Sequence, residues 1–181
     1  MEMNIDLFII NPISGDTDKI ALVNSISQFS LRKRKPYAVL YTTGKNDALT
    51  IKQTFDLYKP ERVIVCGGDG TFNLVASLLL GSQVKLGLIP AGSANGLATE
   101  LKIPSNFNGA LEALNKDKLL AIDGVRLNDT LYSFHLSDFG FNAKMIAEFE
   151  NMGTRGMISY AKAFFNSLSD ETVATYQLSV N

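Results

Sequence analysis

The run Arg62-Val63-Ile64-Val65-Cys66 passes without a break into Gly67-Gly68-Asp69-Gly70-Thr71, and this junction restricts the fold more than any other feature. A short, continuous, β-branched run reads as a strand buried on both faces, the habit of central strands in parallel sheets. Three glycines in the next four positions leave the backbone bare of Cβ atoms. Helix-period residues over 72–80 follow. A buried strand that opens through glycine into a helix begins a βαβ unit.

The same alternation runs through the first two thirds of the chain. Leu7-Phe8-Ile9-Ile10 is an apolar strand stopped by Asn11-Pro12. Over 18–30, Ile20, Val23, Ile26 and Phe29 recur at the spacing of one helix face. A strand over 37–41, a helix over 47–57, a strand over 85–89 and a helix from 96 to 101 complete the pattern. It predicts an α/β fold from residue 5 to about 115: a doubly wound, mostly parallel sheet with helices on both faces. Ligands of such sheets bind beyond the carboxyl ends of the strands.

After residue 118 the pattern changes. Residues 119–127 and 131–136 read as two strands joined by Asn128-Asp129-Thr130. Helical stretches over 143–150 and 156–168 and a last strand over 174–180 follow. The expected division is an α/β domain over 1–121 and the incomplete start of a β-rich domain over 122–181. A strand edge left unpaired there could template association into a homo-oligomer.

Composition excludes several classes. The formal net charge is −1, which lacks the electrostatic footprint of a nucleic-acid binder. The one dense basic stretch, Arg32-Lys33-Arg34-Lys35, reads as a solvated helix-to-strand connection; the sharper reading is a contact for anionic headgroups. Cys66 is the only cysteine, so no internal disulfide forms, and its apolar context predicts a buried, inert thiol. His135 is the only histidine, so a histidine metal cluster is impossible. The N-terminus lacks the basic start of a signal peptide, and no apolar run approaches the length of a membrane span.

Three strand ends carry the chemistry. Asn11-Pro12-Ile13-Ser14-Gly15 combines a strand stop, a hydroxyl and a glycine able to take positive φ. Its plainer reading is a helix-start turn with Asp16 or Thr17 as N-cap. In Gly67 to Thr71, bare N–H groups and the start of a helix favour phosphate. A carboxylate repels phosphate, so Asp69 makes sense as a ligand for Mg²⁺ or a partner of the attacking hydroxyl. The plainer reading is a tight turn capped by Asp69 or Thr71. Pro90-Ala91-Gly92-Ser93-Ala94-Asn95-Gly96 adds a close-approach glycine and two hydrogen-bonding side chains, with Ser93 as the plain N-cap alternative. Neither a G-x-x-x-x-G-K-[ST] loop nor a G-x-G-x-x-G turn after a strand occurs.

Taken in order, Asn11-Pro12-x-Ser14-Gly15, Gly67-Gly68-Asp69-Gly70-Thr71-x-Asn73 and Pro90-x-Gly92-Ser93-x-Asn95-x-x-Ala98 resemble the diacylglycerol kinase catalytic-domain family. That family includes diacylglycerol, sphingosine, ceramide and bacterial lipid kinases. Ile122-Asp123 and Phe139-Gly140-Phe141 resemble its crossing into a second domain. The resemblance implies an α/β domain similar to those of phosphofructokinases and NAD kinases, then a β-sandwich, with ATP between them. It implies ATP and Mg²⁺ as cofactors and a lipid hydroxyl, met at the membrane surface by a cytoplasmic protein, as acceptor. It assigns Asn11, Pro12, Ser14, Gly15, Thr42, Gly67, Gly68, Gly70, Thr71, Asn73, Gly92, Ser93 and Asn95 to the nucleotide. Thr43 competes with Thr42 for its role. Asp69 matches the essential acid near Mg²⁺ and the γ-phosphate, and Asp69→Asn is expected to abolish transfer while largely sparing the fold. Family members are longer and place a general-base carboxylate near the end of the second domain, in a Gly-Glu context that this sequence lacks. The expectation is an incomplete site with little activity by itself. An NAD kinase shares Gly-Gly-Asp-Gly-Thr, but its later Gly-x-Leu-Gly-Phe and Asn-Glu motifs do not follow here. A nucleotide-binding module without catalysis is the alternative from another class.

Overall fold

The computed structural model describes residues 5–137, apart from 17 and 117, together with a few isolated positions beyond them. The chain divides into two compact units, residues 1–135 and 136–181. The helices expected over 143–150 and 156–168 and the strand over 174–180 lie outside the described residues.

Four strands, β1 (Asp6–Ile10), β2 (Tyr37–Tyr41), β3 (Arg62–Gly67) and β4 (Lys85–Pro90), form a sheet in the order β2-β1-β3-β4. Every pairing is parallel, with Ile10 opposite both Tyr41 and Cys66, and Gly67 opposite Pro90. Successive strand residues point to opposite faces. On one face Phe8, Ile10, Ile64, Cys66 and Ile89 pack with Leu22, Ile26 and Phe29 of α1 (Lys19–Lys33) and with Ala110 and Leu111 of α5 (Phe107–Ala113). On the other, Leu7, Ile9, Val63, Val65 and Leu88 meet Ile51 of α2 (Asp47–Tyr58), Phe72, Val75 and Ala76 of α3 (Asp69–Leu78), and Leu97 and Ala98 of α4 (Gly96–Glu100). The sheet is therefore wound on both faces, as the alternating pattern predicts. Cys66 is fully buried; burial pushes its thiol well above the ordinary range, and the Lys19 charge offsets only part of that.

Several boundaries differ from expectation, for local reasons. The helix expected over 72–80 begins at Asp69, so Gly70 and Thr71 form its first turn and Gly68 is its N-cap. The N-cap of α1 is Asp18, whose carboxylate accepts the N–H groups of Ile20 and Ala21, and not residue 16 or 17. α4 stops at Glu100, Lys102 turns through positive φ, and α5 follows. The strands expected over 119–127 and 131–136 shorten to β5 (Val125–Leu127) and β6 (Leu131–Ser133), an antiparallel pair. The apolar run before β5 lies exposed, without a strand beside it among the described residues.

The basic stretch closes α1. Arg32 and Lys33 sit in the last turn, where cations suit the helix dipole, and Arg34 is the left-handed C-cap. Helices run antiparallel to the strands they follow, so this cluster lies at the end of the sheet away from the glycine loops. Arg32 pairs with Glu112 at 3.0 Å, and Lys35 bridges buried Asp6 at 3.1 Å and Glu61 at 2.8 Å. Asp6 also accepts a two-pronged contact from Arg62, whose guanidinium reaches the Leu114 carbonyl as well. The hydrogen bond from Lys35 outweighs desolvation and, with help from Lys85, lowers the Glu61 carboxyl from 4.5 to about 2. A carboxyl depressed in the folded state stabilises fully above its unfolded pKa and loses that contribution as pH falls through the folded one. Acid titration of the melting temperature between pH 4.5 and 2 should therefore show a shallower fall for Glu61→Gln than for the native chain. Parallel curves would mean that Glu61 contributes nothing.

Candidate functional site

The loops after β1, β3 and β4 meet at the carboxyl end of the sheet, and they meet through glycine. Gly15 takes φ +54°, a conformation L side chains rarely adopt, and a Cβ there would lie 2.9 Å from the Ala91 carbonyl oxygen. A Cβ on Gly92 would overlap the Gly68 Cα and lie 2.9 Å from the Gly68 nitrogen. Backbone thus touches backbone across three loops, which only glycine permits.

Hydrogen bonds lock this contact. The Asn11 amide nitrogen donates to Thr71 Oγ1 at 3.0 Å, joining the first loop to α3. Its Oδ1 accepts the Ile13 N–H, and its carbonyl accepts the hydroxyl of buried Ser14 at 2.9 Å. The Ala91 N–H donates to the Gly67 carbonyl at 3.0 Å. Asn95 closes the third loop on itself: its Oδ1 accepts the Gly92 N–H at 2.8 Å and its amide donates to the Gly92 carbonyl at 2.7 Å.

Asp69 joins the second loop to α4. Its Oδ2 accepts the Gly96 N–H and its Oδ1 the Leu97 N–H, each at 2.9 Å. These are orphan donors at the start of α4, whose own N-cap residue, Asn95, makes no side-chain cap bond. Neither Ser93, which is exposed, nor another residue of the third loop performs that capping. A carboxylate offers about four acceptor positions, so after two such bonds Asp69 keeps lone pairs for a further partner. The start of α3 itself is different. Gly68 caps it without a side-chain bond, and Gly70 is exposed. Bare N–H groups at the positive end of a helix make a favourable place for an anion.

The remaining expected residues divide. Pro12 is exposed at the rim of the first loop. Thr42, buried, donates its N–H to the Ile10 carbonyl at 2.9 Å, whereas Thr43 binds Asp47 through N–H and hydroxyl. Desolvation raises the Asp47 carboxyl, but the bonds from Thr43 and Gly44 outweigh it and hold the group below its usual range. Asn73 stands apart: its amide donates to the Tyr132 carbonyl at 2.9 Å and its Oδ1 accepts the Phe134 N–H at 3.2 Å. Its side chain thus faces β6.

Two contacts were not foreseen. Lys19 places its ammonium 2.6 Å from the Ser14 carbonyl, bringing a positive charge to the first loop; a lysine five residues after the serine is too common a pattern to signal this. His135 packs on Gly96 and lies 3.2 Å from Glu100. Among the described residues no group of three His, Cys, Asp or Glu could hold a metal. Mg²⁺ commonly binds through one or two carboxylates plus substrate phosphates and water, so it does not require such a group.

Comparison with known proteins agrees with this geometry. The model of the family described as the diacylglycerol kinase catalytic domain matches residues 6–127. A probable lipid kinase YegS-like of Yersinia enterocolitica is 37% identical over 92 residues, covering 49% of this chain and 31% of its own length. A like-named protein of Klebsiella pneumoniae is 35% identical over 112 residues, covering 61% and 38%. The crystal structure of a diacylglycerol kinase from Bacillus anthracis superposes with a TM-score of 0.60 at 26% identity, covering 73% of this chain and 48% of that one. The matched part of the chain thus spans about a third of the length of these curated relatives. The family match takes in more than half of the chain and all three glycine loops up to β5, so the chain belongs to the diacylglycerol kinase catalytic-domain family.

Proposed function

We propose that this chain carries the ATP-binding part of a lipid kinase, which transfers the γ-phosphate of ATP to a lipid hydroxyl. The observation that carries the reading is the bare N-terminus of α3, set among three glycine contacts with Asp69 at its first position. The N–H groups at the start of α3 would receive phosphate oxygens, and the Lys19 ammonium adds charge of the right sign nearby. Asn11 and Thr71 keep the first loop seated on α3, which fixes the width of the cradle. Mg²⁺, where bound, would be held by Asp69 with phosphates and water, and would neutralise phosphate charge. Phosphoryl transfer depends chiefly on positioning and electrostatic stabilisation, which a rigid set of backbone donors supplies. Asp69, anchored on α4, would keep its free lone pairs directed at the metal or the attacking hydroxyl.

The acceptor would be a diacylglycerol or a sphingoid base, met at a membrane surface. No helix among the described residues is long and apolar enough to cross a membrane. The test measures Mg-ATP binding, then transfer of radiolabelled γ-phosphate to diacylglycerol or sphingosine vesicles and, in parallel, to NAD. Binding of ATP with label passing to lipid supports the proposal. Label passing to NAD would replace it with an NAD kinase, and binding without any transfer, even after a C-terminal extension supplies the Gly-Glu carboxylate, would favour a regulatory nucleotide module.

A further inference from the structure

We infer that Asn73 is a positioning residue that sets the register of β6 against the helix bearing Asp69, and not a ligand of the nucleotide. Asn73 and Asp69 are four residues apart on α3, so they occupy one face of that helix. Asp69 uses this face to hold the start of α4, and Asn73 uses it to hold β6. The two partners are themselves joined, because His135, two residues beyond the end of β6, packs on Gly96 and reaches Glu100 of α4. The contacts close a ring: α3 to α4 through Asp69, α4 to the β6 end through His135, and β6 back to α3 through Asn73. Phe134, partly buried, packs against the core cluster that contains Phe72, Leu97 and Ala98.

The chemistry of the Asn73 contact is specific. A carboxamide carries a donor and an acceptor side by side in one plane, as a backbone residue does in a sheet. Asn73 binds the Tyr132 carbonyl and the Phe134 N–H, which flank Ser133, as a neighbouring strand would. That choice of flanking groups defines one register, and a slip by one residue would turn Phe134 out of the core. Neither a carboxylate nor an alkyl group of similar size offers both halves. In the kinase reading, on which this inference rests, the arm formed by β5 and β6 is thereby fixed relative to Asp69.

The experiment compares the native chain with Asn73→Leu, which removes both bonds, and Asn73→Asp, which keeps the acceptor for Phe134. Amide hydrogen exchange over 131–135 and over β3 is measured alongside the Mg-ATP dissociation constant. Exchange over 131–135 should quicken by about tenfold or more in Asn73→Leu and by less in Asn73→Asp, with β3 unchanged. The dissociation constant should stay within about twofold of native, because no donor at the α3 N-terminus is altered. In transfer to lipid vesicles kcat should fall while the KM for ATP holds. A loss of Mg-ATP affinity by about tenfold or more, or unchanged protection of 131–135, overturns the inference. If the native chain binds no Mg-ATP, the nucleotide reading fails on its own, and the exchange over 131–135 still decides whether Asn73 registers the arm.

Discussion

Replacing Asp69 by asparagine should lower the stability of the fold by about 1–3 kcal/mol as well as abolish phosphate transfer. From sequence, this substitution promised to spare the fold. The structure changes the expectation, because the carboxylate receives the N–H groups of both Gly96 and Leu97. Asparagine offers one oxygen and one amide, so one of the two N–H groups would face another donor. The start of α4 would lose a bond and Leu97, buried in the core, would be less well held. The chemical loss is separate: a neutral amide is a poor ligand for Mg²⁺, so the advantage that Mg²⁺ gives to ATP binding should vanish. Thermal denaturation reports the first effect, and ATP titrations with and without Mg²⁺ report the second. A variant that melts like the native chain would refute the capping role; one that keeps its Mg²⁺ dependence and turnover would refute the catalytic role.

Gly92→Ala should displace the third loop, cost about 1–3 kcal/mol and reduce Mg-ATP affinity by about tenfold or more. The new methyl would overlap the Gly68 Cα and press on the Gly68 nitrogen and the side-chain Oδ1 of Asn95. The first two are backbone atoms, and the Asn95 oxygen is held in place by the Gly92 N–H. Relief requires Gly68 to move, and Gly68 is the N-cap of α3, where the phosphates are proposed to sit. Gly70→Ala is the control for stability, since its Cβ would meet nothing within 4 Å; it should melt no lower than the native chain. Calorimetry and Mg-ATP titration check both variants. Native-like melting and affinity in Gly92→Ala would show that the loop contact does not shape the site.

Much of the fold is legible in the order of residues because its causes are local. Leu7 to Ile10 and Val63 to Cys66 are apolar at consecutive positions, which only a strand covered on both faces can bury. Ile26 and Phe29 recur at helical spacing and both reach the core. The glycine loops announce themselves by composition, and the structure brings Gly15, Gly68 and Gly92 together. Boundaries were less legible. Gly70 lowers helix propensity, so α3 reads as starting after it, yet the first turn forms from Asp69 onward with Phe72 and Val75 packed beneath.

What sequence by itself determined was the α/β class, the strands and helices up to α4, and the set of loops that can face phosphate. Each follows from chemistry within a few residues: side-chain period, the bare backbone of glycine, a proline stop. What only the tertiary structure decided is how the polar side chains of those loops are used. Asp69 meets α4 nearly thirty residues on, Asn11 meets Thr71 across sixty positions, and Asn73 turns to β6 across a similar distance. Such a hydrogen bond depends on where folding brings its partner, and no local pattern records that position.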